Sequence, residues 1–139
     1  MTSFEYEHST TTTAPAAAVW ALWADTTTWP TWDAGMENVS VDGDFTVGTS
    51  GTMTITGQPP IPFTLTEVEP NARFADVTEI PGATLRFTHT LTPTGTGTEI
   101  SHRVTIEGPA AQELGPVVTA GVPAALAKLA SLAEESSLV

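Results

Sequence analysis

Apolar and polar residues alternate from the start of the chain. Phe4, Tyr6 and His8 fall on one side and Glu5 and Glu7 on the other, the period of a half-buried strand over residues 3–13. His8 therefore shares the apolar side. The period then changes: "TAPAAAVWALWAD" has an early Pro15 and carries Val19, Trp20 and Trp23, which predicts a helix of about three turns ending near Asp25. "TTTWPTWDAG" predicts a short second helical turn around Pro30 and Trp32, closed by Gly35. Strand-like runs follow near 36–42, 49–57, 61–69, 73–80, 83–92 and 98–108, parted by "DGD", "QPP", "EPN", "IPG" and "PTGTG". Beyond residue 108, apolar residues at 114, 118, 122, 126, 129 and 132 mark one face of a long closing helix. Pro123 removes a backbone donor inside it, which predicts a kink or break close to Gly121.

The resulting order is one strand, two short helices, six strands and a long helix, an α+β arrangement. Sequential antiparallel strands form a curved sheet whose apolar face the helix must cover. The space between them is either filled by side chains or open to a ligand.

At 139 residues, without an internal repeat or linker, the chain is read as a single domain spanning 1–139. Threonine is its commonest residue, and β-branched side chains suit pleated strands. Four Lys and Arg against sixteen Asp and Glu give a formal charge of −12, which repels a phosphate backbone or an anionic lipid surface. Nucleic acid is not an expected partner. Cysteine is absent, so thiolate metal sites and cysteine nucleophiles are excluded. "MTSFEYEHST" has neither the basic nor the apolar region of a signal peptide, and no run approaches the roughly 18 apolar residues of a membrane helix. A cytoplasmic protein without membrane insertion is the expectation, as monomer or homodimer.

Two of the three histidines sit at apolar-phase positions of one hairpin. Leu85, Phe87, His89 and Leu91 share a side of the first strand, and Ile100, His102, Val104 and Ile106 share a side of the second. If Pro93 stands opposite Thr98, His89 lies directly opposite His102; a shift of two residues in register would make them diagonal neighbours instead.

Several segments resemble the SRPBCC superfamily, also called START-like or birch-pollen-allergen-like, and within it the bacterial polyketide cyclase/dehydrase group. They are "VWALWADTTTWPTWD" at 19–33, "GTSGTMT" at 48–54, "FTLTEVEPNARF" at 63–74 and "FTHTLTPTGTGTEISHRVTIEGP" at 87–109. The resemblance covers essentially the whole chain. It implies the helix-grip fold, seven antiparallel strands wrapped around the C-terminal helix with a hydrophobic cavity between them. It also implies that strand 1 pairs with strand 7, which brings His8 beside His102 and makes a row of three imidazoles. Such a row is open to three readings: polar groups satisfied within the wall, groups that orient or protonate a ligand, or a His8, His89 and His102 metal site. No cofactor is implied.

The first functional expectation is a binding protein for a small hydrophobic or aromatic molecule. Phe63, Leu65, Phe74, Phe87, Leu91, Val104 and Ile106 would wall its cavity, with His89 and His102 among them, and Val118, Val122 and Leu126 would cap it. Trp32, and with it Trp29, would line the mouth, unless the tryptophans serve only to pack the short helices on the sheet. The second expectation is a cyclase or dehydratase using His89 or His102 as acid or base, although the pattern places no Ser-His-Asp set and no paired inward carboxylates. The third is a protein-interaction module using the groove beside the terminal helix. Asp25 and Asp33 are expected to cap local turns, and Arg73, Arg86 and Arg103 to form exposed ion pairs.

Overall fold

A computed structural model describes residues 2–137, so Leu138 and Val139, the end of the expected closing helix, lie outside the described residues. Strand β1 (Ser3–Thr12) is followed by helix α1 (Ala16–Ala24), a 3-10 turn at Thr26–Thr28 and the single-turn helix α2 (Trp29–Trp32). Six strands come next: β2 (Met36–Val41), β3 (Ser50–Ile55), β4 (Ile61–Glu69), β5 (Arg73–Ile80), β6 (Ala83–Pro93) and β7 (Thr98–Glu107). Helices α3 (Ala111–Thr119) and α4 (Val122–Ser137) close the chain.

The strands form one antiparallel sheet in the order β1-β7-β6-β5-β4-β3-β2. Hairpins connect every consecutive pair from β2 to β7, and β1 reaches the far edge by pairing with β7. The register follows the alternation in sequence, with Pro93 opposite Thr98, His89 opposite His102 and His8 opposite His102. A one-residue slip would turn Leu85, Leu91, Ile100, Val104 and Ile106 outward, so burial of that face holds the register.

The closing helical segment is interrupted where Pro123 requires. Helix α3 ends at Thr119 and α4 starts at Val122, which leaves Pro123 in the first turn of α4, where no backbone donor is needed. By length and composition alone, Ala111–Ser136 could cross a membrane. Part of it packs on the sheet, with Leu126, Leu129 and Ala133 buried and the Thr12 hydroxyl donating to the Glu134 carboxylate at 2.7 Å. Close approach of α3 depends on Gly115, since a Cβ there would stand 2.5 Å from the Phe4 ring. Gly108 makes the turn out of β7 at φ +125°, with a neighbouring backbone carbonyl where a side chain would go.

Two apolar clusters result. The larger gathers Val19, Trp23, Trp29, Phe63, Leu65, Phe74, Leu91, Ile100, Leu126 and Leu129 under α1, α2 and α4. The smaller gathers Leu85, Val104, Ile106 and Ala111 under α3. Along β5, β6 and β7 the two are separated by polar positions on the same face.

Candidate functional site

The band between the clusters is built from strand pairing. In one row across the sheet stand Phe74, His89, His102 and His8; in the next stand Leu65, Asp76, Phe87, Val104 and Tyr6. Thr78 lies two residues along β5 from Asp76, opposite Leu85. Asp76 is 5% exposed, Thr78 3% and His89 6%, whereas Phe87 in their midst is only partly buried. Asp76 and Thr78 both flank Phe87 on β5, His89 follows it on β6, and His102 is its diagonal neighbour on β7.

His89 is held as an aromatic ring. It stacks on Phe74 with centroids 4.0 Å apart and planes 6° apart, meets Trp23 edge-on at 5.6 Å, and touches the His102 ring at 4.4 Å. Burial, and next the neighbouring His102, press its pKa well below the usual imidazole value, partly offset by a backbone hydrogen bond at Phe74. Burial alone brings His102 down to about 4. Both imidazoles are therefore neutral at pH 7. His89 Nδ1 and His102 Nε2 are shut in without a hydrogen-bond partner, and so is Thr78 Oγ1. An unmet buried polar group costs about 1–3 kcal/mol, so three of them in one band are a considerable expense for packing alone.

Asp76 is the residue that sequence reasoning missed. It makes no hydrogen bond or ion pair among the described residues, and burial raises its pKa to about 8. The signal was present: in "RFADVTEI" the phase that puts Phe74 inside also puts Asp76 and Thr78 inside.

Several residues expected around an open cavity stand in closed core: Phe63, Leu65, Phe74, Leu91, Val104, Ile106, Val122 and Leu126 are all buried, and Val118 is partly buried. The physical reason is aromatic filling from the short helices. Trp23 is wholly buried 5.2 Å from Phe74, and Trp29 stacks on Phe63 at 6.2 Å while its indole N–H donates to the Trp23 carbonyl at 2.9 Å. Trp32 is buried but borders a groove of about 380 Å³ between Pro30–Gly35 and Gly121, Ala124, Ala125 and Lys128 of the closing segment. Asp33 lines the same groove; burial raises its pKa against the lowering effect of the Gly35 N–H that it accepts. Asp25 accepts from the Thr27 N–H at 3.1 Å and so caps the 3-10 turn.

His8, on the edge strand, is partly exposed, and the row of three histidines in the backbone does not gather into a ligand set. Among the described residues no three His, Cys, Asp or Glu side chains are placed to hold a metal ion. Arg73 pairs with Glu67 and Glu69, Arg86 with Glu107 and Arg103 with Glu5, all on exposed side chains.

Seven antiparallel strands gripping a C-terminal helix define the helix-grip class. The chain belongs to the family described as polyketide cyclase / dehydrase and lipid transport, whose model matches residues 3–134. No sequence match was found among curated proteins. Among solved structures, the di-domain ARO/CYC StfQ of the steffimycin biosynthetic pathway is similar with a TM-score of 0.82 at 14% identity, over 99% of this chain and 52% of that one. The chain thus spans about half the length of StfQ. MLL2253 from Mesorhizobium loti gives 0.78 at 19% identity over 95% of this chain and 98% of that one. Norcoclaurine synthase from Thalictrum flavum, in complex with dopamine and hydroxybenzaldehyde, gives 0.75 at 19% identity over 96% and 88%. At these identities the likeness establishes the fold.

Proposed function

We propose that the protein binds a small, uncharged, hydrophobic or aromatic molecule on the concave face, against Phe87 and between the two apolar clusters. The observation that carries this reading is a set of buried polar atoms without partners among the described residues, Thr78 Oγ1, His89 Nδ1 and His102 Nε2, with the buried Asp76 carboxyl beside them, around a partly open phenyl ring. Folding alone gains nothing from such groups, whereas a ligand that completes their hydrogen bonds gains both specificity and affinity. The family description and the small-molecule complex of the plant enzyme support a ligand of this size.

Isotope-labelled protein titrated with 2-ethylnaphthalene, a neutral aromatic probe, tests it. Amide and side-chain signals of residues 76, 87, 89 and 102 are expected to shift in a saturable 1:1 manner. Shifts confined to Pro30–Gly35 and α4, or none at all, would reject the concave face as the site.

Contact between His89 and His102 favours a second reading, acid–base catalysis on the bound molecule. A neutral imidazole accepts a proton, and two such rings stand here with centroids 4.4 Å apart. Replacing His89 and His102 together by Phe should then abolish turnover of a ketone substrate; unchanged turnover would remove the histidines from the chemistry.

A further inference from the structure

We propose that Asp76 and Thr78 form an oxygen-binding subsite on the concave face, which takes the ketone or enol oxygen of a ligand whose apolar body lies on Phe87. This inference rests on the concave-face reading above and adds the functional group that the site selects.

The placement carries it. Asp76 faces Phe87 directly across β5 and β6, and Thr78 is the next residue on the same face of β5. Both are more than nine-tenths buried, and neither has a hydrogen-bond partner among the described residues. Among the described residues no cation answers the carboxyl: Arg73, Arg86 and Arg103 are engaged with glutamates on exposed side chains, and Lys128 borders the groove beside α4. A carboxyl enclosed in this way holds its proton, as burial raises it to about 8. It therefore offers an O–H, and the Thr78 hydroxyl a second donor, to the same acceptor. A carboxylic acid kept neutral by an apolar site so that it donates to a carbonyl or enolate oxygen is an established device of enzymes that handle ketones. The imidazole of His89, on the next strand and diagonal to Asp76, supplies a neutral base on the other side of Phe87. An anionic ligand is disfavoured here because nothing on this face balances its charge.

The test compares three probes of one shape by calorimetry at pH 6.5: 2-acetylnaphthalene, 2-ethylnaphthalene and the cation of 1-(2-naphthyl)ethylamine. The ketone is expected to bind about tenfold more tightly than the hydrocarbon. Asp76→Leu should erase that preference while leaving hydrocarbon affinity within about threefold. Asp76→Asn, which keeps a donor at the same place, should retain most of it, and in the wild type the preference should fade as pH rises through about 8. Equal binding of ketone and hydrocarbon would overturn the subsite but leave the concave-face reading intact. Tighter binding of the amine, lost in Asp76→Asn, would overturn it in favour of an ammonium site. Failure of every probe to bind would remove the subsite together with the reading beneath it. Should Asp76→Leu not fold, Thr78→Val carries the same comparison, with partial loss of ketone preference expected and no loss counting against the subsite.

Discussion

At the residue scale, Asp76, His89 and His102 oppose one another in their effect on stability. Asp76 has a folded pKa of about 8, above its unfolded value, so the native state binds the extra proton between about pH 4 and pH 8. Stability falls across that window as pH rises, by up to about 1.4 kcal/mol per pH unit. The histidines act in the other direction. Their folded pKa values lie below 6.5, so their contribution is present above the unfolded value and is lost as pH falls, for His102 through about 4. The wild type should be most stable near pH 6–7 and weaken on both sides. Urea denaturation across pH 4 to 9 measures this: Asp76→Asn should remove the decline on the alkaline side, and His89→Phe with His102→Phe the decline on the acid side. An alkaline limb that survives in Asp76→Asn would show that this carboxyl is not the group held neutral. The stabilisation expected on removing Asp76 is the counterpart of its proposed role, since functional groups often persist at the expense of stability.

At the scale of elements, the contact between α3 and the sheet is set by one missing side chain. Gly115 faces the Phe4 ring so closely that alanine forces either to move, and overpacking of this kind costs about 1–3 kcal/mol. Gly115→Ala should lower stability by that order, and pairing it with Phe4→Leu should recover part of the loss in a double-mutant cycle; strict additivity would mean that the two do not meet. This contact was not legible beforehand, because a glycine in a helical run gives no sign of what approaches it. The hairpin was legible for the opposite reason. Alternation in 84–92 and 98–107 decided which residues face inward, and closing the turn at 94–97 with Pro93 opposite Thr98 put His89 opposite His102, where a two-residue shift would have buried the same face and made them diagonal. The break before Pro123 followed equally from a missing backbone donor. What the pattern did not reveal was how far the tryptophans reach: Trp23 and Trp29 extend to Phe74 and Phe63 and fill what was expected to be open wall. Filling is decided by side-chain volume in three dimensions, not by period.

At the scale of the molecule, charge and shape together restrict what reaches the concave face. The chain carries −12, and its three arginines are spent on glutamates at exposed positions, so the field outside the protein is negative and the interior offers no cation to reverse it. An anion meets repulsion during approach and an unanswered desolvation cost on arrival; a neutral molecule meets neither. These two penalties are separable because salt screens the first, with a Debye length of about 10 Å at 0.1 M, and hardly touches the second. Stopped-flow tryptophan fluorescence with 2-naphthoate and 2-acetylnaphthalene at 10 mM and 200 mM salt distinguishes them. The association rate for the carboxylate should rise several-fold with salt while that for the ketone stays flat, and the carboxylate should remain the weaker ligand at both concentrations. A carboxylate that binds as tightly as the ketone at high salt would mean that repulsion outside the protein was its sole obstacle and that the site itself accepts negative charge. The band around Phe87 would then be neutral ground and not a selector of uncharged oxygen. Persistent weakness at high salt places the discrimination where the neutral carboxyl and imidazoles stand, inside the sheet and beyond the reach of counterions.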